Sequence, residues 1–285
     1  MKVKEALQFG DQYLSDRQLR SPREDAELLV ASILECERAF LYTYPEACFS
    51  SAQERLFRDW LTKRGEHYPL QYLRGKQEFY GREFLVRPGV FIPRPETELL
   101  LEAALDILGP NSEEELLVAD VGTGSGCLAV SLACEEPRAQ LAAIDKSPLA
   151  LQTARCNAEA HQCQSRIQFY EGDVLRPIEH RFRQYHLIVS NPPYVSALDK
   201  ASVDLSVRRY EPAEAVFSGE SGHEVYLELF RQAVQVLHPE GRLVVELGWG
   251  ESGKVSRLAG DFGWGLKEIR KDLAGTDRCA IFELL

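Results

Sequence analysis

The chain is short of the features that mark several large classes of protein. Across its 285 residues no uninterrupted apolar run approaches the ~20 residues that a membrane-spanning helix needs, so no membrane association is expected. The first residues also lack the continuous apolar stretch of a secretory signal, and the expectation is a cytoplasmic protein. The seven cysteines, Cys36, Cys48, Cys127, Cys134, Cys156, Cys163 and Cys279, are odd in number and hold no Cys-x-x-Cys pair, which argues against a disulfide framework and against a zinc site. The six histidines show no ligand spacing either, so no metal is expected. Positive charge is in deficit: 33 Lys and Arg against 44 Asp and Glu leave a formal net charge of −11. Duplex nucleic acid is held mainly by neutralising phosphates, so direct binding to it is not expected. Arg82, Arg87 and Arg94, and the pair Arg208-Arg209, gather locally and read first as solvated surface charge, with a partner that itself touches RNA as the alternative.

What is present is a 45% hydrophobic chain, enough for a large core and two domains. Residues 1–74 read as a small bundle of short amphipathic helices. Ser21-Pro22-Arg23-Glu24 predicts a helix start with Ser21 as its cap, and Ala26, Leu28, Leu29, Ile33 and Leu34 mark the buried side. Ser51-Ala-Gln-Glu54 predicts a second capping box, opening a helix that carries Leu56, Phe57, Trp60 and Leu61. Over residues 75–95 the pattern changes to short alternating runs, Gln77-Glu-Phe-Tyr80 and Glu83-Phe-Leu-Val86, punctuated by Gly81, Pro88, Gly89, Pro93 and Pro95; this predicts a β-hairpin linker. Residues 96–285 then alternate apolar strands with helices, the pattern of an α/β domain whose parallel sheet is covered on both faces.

Four strand ends in this region carry the chemistry. The first runs into Asp120-Val121-Gly122-Thr123-Gly124-Ser125-Gly126, where alternate glycines allow a tight turn and let a ligand approach the backbone at a helix N-terminus. Asp145 closes the next strand about 20 residues on, where a carboxylate can accept both hydroxyls of a ribose. The loop spacing is Gly-x-Gly-x-Gly rather than the dinucleotide Gly-x-Gly-x-x-Gly, and the preceding Asp120 would repel a pyrophosphate but suit a sulfonium or amino group. S-adenosylmethionine therefore fits better than NAD. Asp173, after Gly172, sits where an adenine amino group could be read. The fourth strand ends in Asn191-Pro192-Pro193-Tyr194. Its prolines remove two backbone donors, Asn191 Oδ1 and the Pro192 carbonyl can accept from one planar NH2, and Tyr194 offers a flat apolar face; an ordinary strand-ending turn is the alternative. Cofactor loop and NH2 clamp on one sheet edge point to methyl transfer onto an amide or aromatic nitrogen, with no general base evident.

Further motifs span nearly the whole chain: Gln71-Tyr72-Leu-Arg-Gly75, Glu78-Phe-Tyr-Gly81, Phe91-Ile-Pro-Arg-Pro-Glu-Thr-Glu98, Tyr210-Glu-Pro212, Glu246-Leu-Gly248 and Lys271-Asp-Leu-Ala-Gly-Thr-Asp-Arg278. With the glycine loop and Asn191-Pro-Pro-Tyr194, the chain resembles the HemK/PrmC-type methyltransferases. The resemblance implies N5-methylation of the glutamine in the Gly-Gly-Gln loop of class-1 peptide chain release factors. The fold it implies is a Rossmann-like class I methyltransferase domain behind an N-terminal helical bundle that docks the release factor. It assigns S-adenosylmethionine, with S-adenosylhomocysteine as product, to Phe91, Gly122, Thr123, Gly124, Ser125, Gly126, Asp145, Asp173, Val174 and Asn191. It assigns the substrate glutamine to Asn191, Pro192, Pro193 and Tyr194, with Asn191, Pro192 and Tyr194 as the catalytic group. Where many relatives have a Gln after Glu246-Leu-Gly248, this chain reads Trp249-Gly-Glu-Ser252, a departure that bears on partner docking or packing. The competing reading is an N6-adenine methyltransferase of DNA or RNA, since the exocyclic adenine NH2 suits the same clamp. A non-enzymatic adaptor and an NAD-dependent oxidoreductase are more distant alternatives.

Overall fold

The computed structural model describes residues 1–109, 115–181 and 184–285, in two compact units: Met1–Lys76 with Asp204–Tyr210, and Gln77–Val203 with Glu211–Leu285. The first unit holds α1 (Val3–Ser15), α2 (Pro22–Ile33), α3 (Arg38–Thr43), α4 (Ser51–Gly65) and α5 (Leu70–Arg74). Leu7, Leu14, Leu29, Val30, Leu41, Phe57 and Leu61 form its core. Gly10 sets the approach of α1 to α2, because a Cβ there would stand 2.9 Å from that of Ala26. Two capping expectations need correction. Pro22 does occupy the first turn of α2, but the Ser21 side chain makes no capping hydrogen bond. The box before α4 is one residue earlier than expected: Ser50 accepts from the Gln53 amide at 3.2 Å, and Gln53 Oε1 accepts from the Ser50 amide at 2.9 Å. Glu54 is thereby released to bind the N-terminal ammonium at 2.9 Å.

The second unit begins in the hairpin β1 (Lys76–Phe79) and β2 (Arg82–Leu85), followed by α6 (Glu98–Leu108) and β3 (Leu116–Val121). Then come α7 (Cys127–Glu135), β4 (Ala139–Asp145), α8 (Pro148–Ala160), β5 (Ile167–Glu171) and β6 (Tyr185–Ser190). The rest comprises α9 (Leu205–Tyr210), α10 (Ala213–Val216), α11 (Glu224–Val236), β7 (Leu237–Glu246), α12 (Ser252–Gly260), β8 (Trp264–Lys271) and β9 (Asp277–Leu284). Of these, α9 groups with the helical unit, where the Tyr210 hydroxyl donates to the Glu66 carbonyl at 2.9 Å and its ring meets Tyr68 edge-on.

The seven-stranded sheet has the order β5-β4-β3-β6-β7-β9-β8; the first five strands are parallel, and β9 runs antiparallel to both β7 and β8. Alternate residues feed two cores. Val118, Leu141, Leu187, Val189 and Val244 pack with α6 and α7, while Ala119, Ile144, Ile188, Leu243 and Val245 pack with α11 and α12. Each fully buried aliphatic side chain stabilises the fold by about 1.5–3 kcal/mol before entropy is counted. The chain winds from β3 through β4 to β5 and then returns to β6 on the other side of β3, so the strand order reverses there. Such a reversal opens a crevice at the carboxyl ends of the strands. Among the described residues no helix is long and apolar enough to cross a membrane, and no three His, Cys, Asp or Glu side chains gather as a metal site would require.

Candidate active site

At the end of β3 the backbone turns through Gly122 (φ 75°), Gly124 (φ 57°) and Gly126 (φ 83°), left-handed conformations that a side chain at these positions would strain. The Gly122 and Thr123 amides both donate to the Ile144 carbonyl, at 2.9 and 3.0 Å, so the loop is stitched to the end of β4. Beneath it lies Asp120, 1% exposed, whose Oδ2 accepts from Thr123 Oγ1 at 2.6 Å and from the Ala129 amide at 3.1 Å. Its Oδ1 has no partner among the described residues, and burial pushes the carboxyl up to about 7. Such a group lowers its free energy by meeting a cation. Gly126 packs against α8: a Cβ on it would stand 2.9 Å from that of Ala154, so this glycine lets α7 pack on α8.

Asp145 Oδ2 accepts from the Gly124 amide at 2.8 Å and Oδ1 from the Ser147 amide at 2.9 Å. Each oxygen keeps a free lone pair, so both can still accept from a hydroxyl. Burial raises its carboxyl above the ordinary value, opposed by those two amide bonds. Beyond β5, Val174 holds φ 54°, an outlier for a β-branched residue, with the next amide, Leu175, fixed by the buried Gln232 Oε1 at 2.7 Å. Val174 itself is buried and Asp173 exposed.

At the end of β6 the Ser190 hydroxyl donates to the Val121 carbonyl at 2.8 Å, tying the clamp strand to the glycine-loop strand. Asn191 Nδ2 donates to Thr97 Oγ1 at 3.0 Å, and Asn191 Oδ1 and the Pro192 carbonyl accept nothing among the described residues. Thr97 Oγ1 donates to Glu246 Oε2 at 2.6 Å, and the Tyr194 hydroxyl to Glu246 Oε1 at 3.3 Å. Glu246 is 2% exposed, and burial raises its carboxyl to about 7. Gly248 lies so close to the Tyr194 ring that a Cβ would come within 3.0 Å of it. Burial and the adjacent Glu246 push the Tyr194 phenol up as well.

A further wall comes from the segment before α6. Glu211, itself buried, accepts from the Ile92 amide at 3.1 Å and pairs with the half-buried Arg94, whose guanidinium covers the Phe91 ring 4.6 Å from its centroid. These elements surround one cleft of about 1040 Å³ including its open mouth. The structure brings together on its wall Phe91, Gly122, Thr123, Gly124, Ser125, Asp145, Asp173, Val174, Asn191, Pro192 and Pro193. Two residues expected at the site are not on that wall. Gly126 is turned toward Ala154, and Tyr194 is held back against Gly248 and Glu246. Sequence reasoning missed Thr97 as a partner of Asn191, and Glu246 and Glu211 as buried acids. The one available signal was that each lies in a motif whose local pattern gave it no role.

Residues 5–75 match the PrmC N-terminal domain and residues 82–211 the methyltransferase small domain. A release factor glutamine methyltransferase of Koribacter versatilis is 40% identical over 281 residues, 99% of this chain and 98% of the relative. One of Coxiella burnetii is 35% identical over 281 residues, with the same coverage of each chain. The crystal structure of a methyltransferase from Pyrococcus furiosus, 16% identical, matches 82% of this chain and 98% of that one with a TM-score of 0.51, a likeness of fold alone. Full-length identity at this level, together with the two domain matches, shows that the chain is an enzyme and belongs to the release factor glutamine methyltransferase family.

Proposed function

We propose that this enzyme transfers a methyl group from S-adenosylmethionine to the side-chain amide nitrogen, N5, of the glutamine in the Gly-Gly-Gln motif of class-1 peptide chain release factors. One observation carries the reading: the glycine loop, Asp145, Asn191 and Pro192 line a single cleft. The names of the full-length relatives favour glutamine over adenine as the source of the NH2 group. S-adenosylmethionine supplies an electrophilic methyl group on a sulfonium centre when bound.

The residues present fit such a molecule. Asp145, on the cleft wall, keeps a free lone pair on each carboxylate oxygen, and beneath the loop Asp120 Oδ1 has no partner among the described residues. Asp145 would hold a ribose hydroxyl pair through its remaining lone pairs, Val174 and Phe91 would line the base, Asp173 would accept from its amino group, and the Asp120 charge favours a cationic centre nearby. Asn191 Oδ1 and the Pro192 carbonyl would each accept one hydrogen of the glutamine NH2. That orients the nitrogen lone pair and disfavours its delocalisation into the amide. The helical unit, which matches the PrmC N-terminal domain, is assigned to recognition of the release factor.

The test offers the enzyme, with methyl-labelled cofactor, a release factor and an adenine-containing oligonucleotide side by side. Label in the release factor alone is expected; label in the oligonucleotide alone would replace this reading with the N6-adenine one.

A further inference from the structure

Thr97, Asn191 and Glu246 come from three distant stretches of chain and meet in one buried line of hydrogen bonds. A threonine hydroxyl carries a single proton. At 2.6 Å from Glu246 Oε2 that proton is committed to the carboxylate, which can only accept when ionised. The Thr97 oxygen is therefore left as an acceptor, and only the NH2 end of the Asn191 amide can face it. The two ends of an asparagine amide have nearly the same shape, so packing alone selects weakly between them. The hydrogen bond to Thr97 selects strongly, and it leaves Asn191 Oδ1 without a partner among the described residues.

We propose that Thr97 and Glu246 are positioning residues that fix the flip of the Asn191 amide, so that its oxygen rather than its NH2 is offered to the substrate. The inference rests on the reading of Asn191 as the amide clamp. A flipped Asn191 would present donors to an NH2 group that also donates, and the clamp would repel what it has to hold. Protonation of Glu246 undoes the arrangement: a neutral carboxyl can donate to the Thr97 oxygen, and the freed hydroxyl proton then favours the carbonyl end of Asn191. Besides Thr97, Glu246 is faced by the Tyr194 hydroxyl and by the charges of Arg278 and Glu96. The Tyr226 hydroxyl donates to its main-chain carbonyl, Cys279 is its neighbour across β9, and Cys127 lies within electrostatic reach. Burial outweighs these and sets its titration near 7, so the competent arrangement is favoured above that pH and lost below it.

The test uses the full-length enzyme with Thr97→Val, Thr97→Ser and Glu246→Gln. Thr97→Val should bind S-adenosylhomocysteine within about twofold of wild type while kcat on the release factor falls about 10- to 100-fold, up to the loss that a misplacement of about 1 Å produces. Thr97→Ser should restore most of the loss, and Glu246→Gln should flatten the decline in kcat that the wild type shows below neutral pH. Because Asp120 titrates in the same range, the wild-type and Glu246→Gln profiles are compared rather than read singly. Normal kcat in Thr97→Val, or a Thr97→Ser enzyme as slow as Thr97→Val, would overturn the proposal. Exchange of the Asn191 Nδ2 protons, followed by NMR without substrate, separates this idea from the proposed function. Slow exchange in wild type and fast exchange in Thr97→Val supports the positioning role even if no release factor is methylated, whereas equal exchange rejects it. Should Thr97→Val fail to fold, the same exchange comparison between wild type and Thr97→Ala, which also removes the hydroxyl, decides in the same way.

Discussion

The carboxylate of Asp145 accepts the Gly124 amide at 2.8 Å, which makes the glycine loop after β3 and the acid that ends β4 one mechanical piece. Asp145 therefore has two tasks, orienting the loop backbone and offering its remaining lone pairs to a ligand. Asp145→Ala should weaken S-adenosylhomocysteine binding by at least tenfold, about 1.4 kcal/mol, since charged hydrogen bonds contribute roughly 1.5–3 kcal/mol each. Isothermal titration checks this, and an affinity within twofold of wild type would remove Asp145 from the cofactor site.

Gly124 and Gly126 share a left-handed backbone but differ in surroundings, and their alanine variants should separate accordingly. Both substitutions carry the cost of an L side chain at positive φ, roughly 1–2 kcal/mol. Gly126→Ala adds a contact at 2.9 Å with Ala154, whereas a Cβ on Gly124 meets nothing nearer than 3.9 Å. Overpacking of that kind adds about 1–3 kcal/mol. Urea denaturation of the ligand-free enzymes should rank Gly126→Ala clearly below Gly124→Ala, and equal midpoints would contradict the packing role.

Asp120 gives the ligand-free enzyme a definite pH dependence. Its folded carboxyl sits near 7 against an ordinary 3.8, so between those values the folded state binds a proton that the unfolded chain has released. Stability from this group is complete below the lower value and is lost as pH rises through the upper one. The raised Glu246 and Asp145 carboxyls act in the same direction, while Glu228, held at about 2 by Arg231, titrates below the window. The urea midpoint should therefore fall between about pH 5 and about pH 8, and Asp120→Asn should show the shallower fall of the two proteins. A wild-type midpoint that rises over this range would contradict the assignment.

The parts of this molecule written in local pattern were legible before any coordinates. Apolar runs separated by helical stretches placed β3, β4, β5 and β6, and the residues at or just after their carboxyl ends supplied Gly122, Asp145, Asp173 and Asn191, because strand ends and tight turns depend on neighbours in sequence. What local pattern does not encode is partnership at a distance. Thr97 bonds Glu246 across 149 positions and Arg94 bonds Glu211 across 117, and no periodicity connects either pair. Gly126 illustrates a subtler loss. Its place in a glycine-rich loop suggested ligand contact, but the atom that demands a glycine there belongs to Ala154 on α8. The cap before α4 moved by one residue because Ser50 and Ser51 are chemically equivalent and only the backbone geometry chooses between them.

The central claim is tested most directly by mass spectrometry of the Gly-Gly-Gln peptide of a release factor after incubation with S-adenosylmethionine and either wild-type enzyme or Asn191→Ala. Asn191→Ala removes an acceptor from the clamp but leaves the glycine loop and Asp145 in place. One methyl group on the glutamine side-chain nitrogen with wild type, and none with Asn191→Ala, is the predicted result. A glutamine left unmodified by the wild type, or methylated equally by both enzymes, would contradict the account.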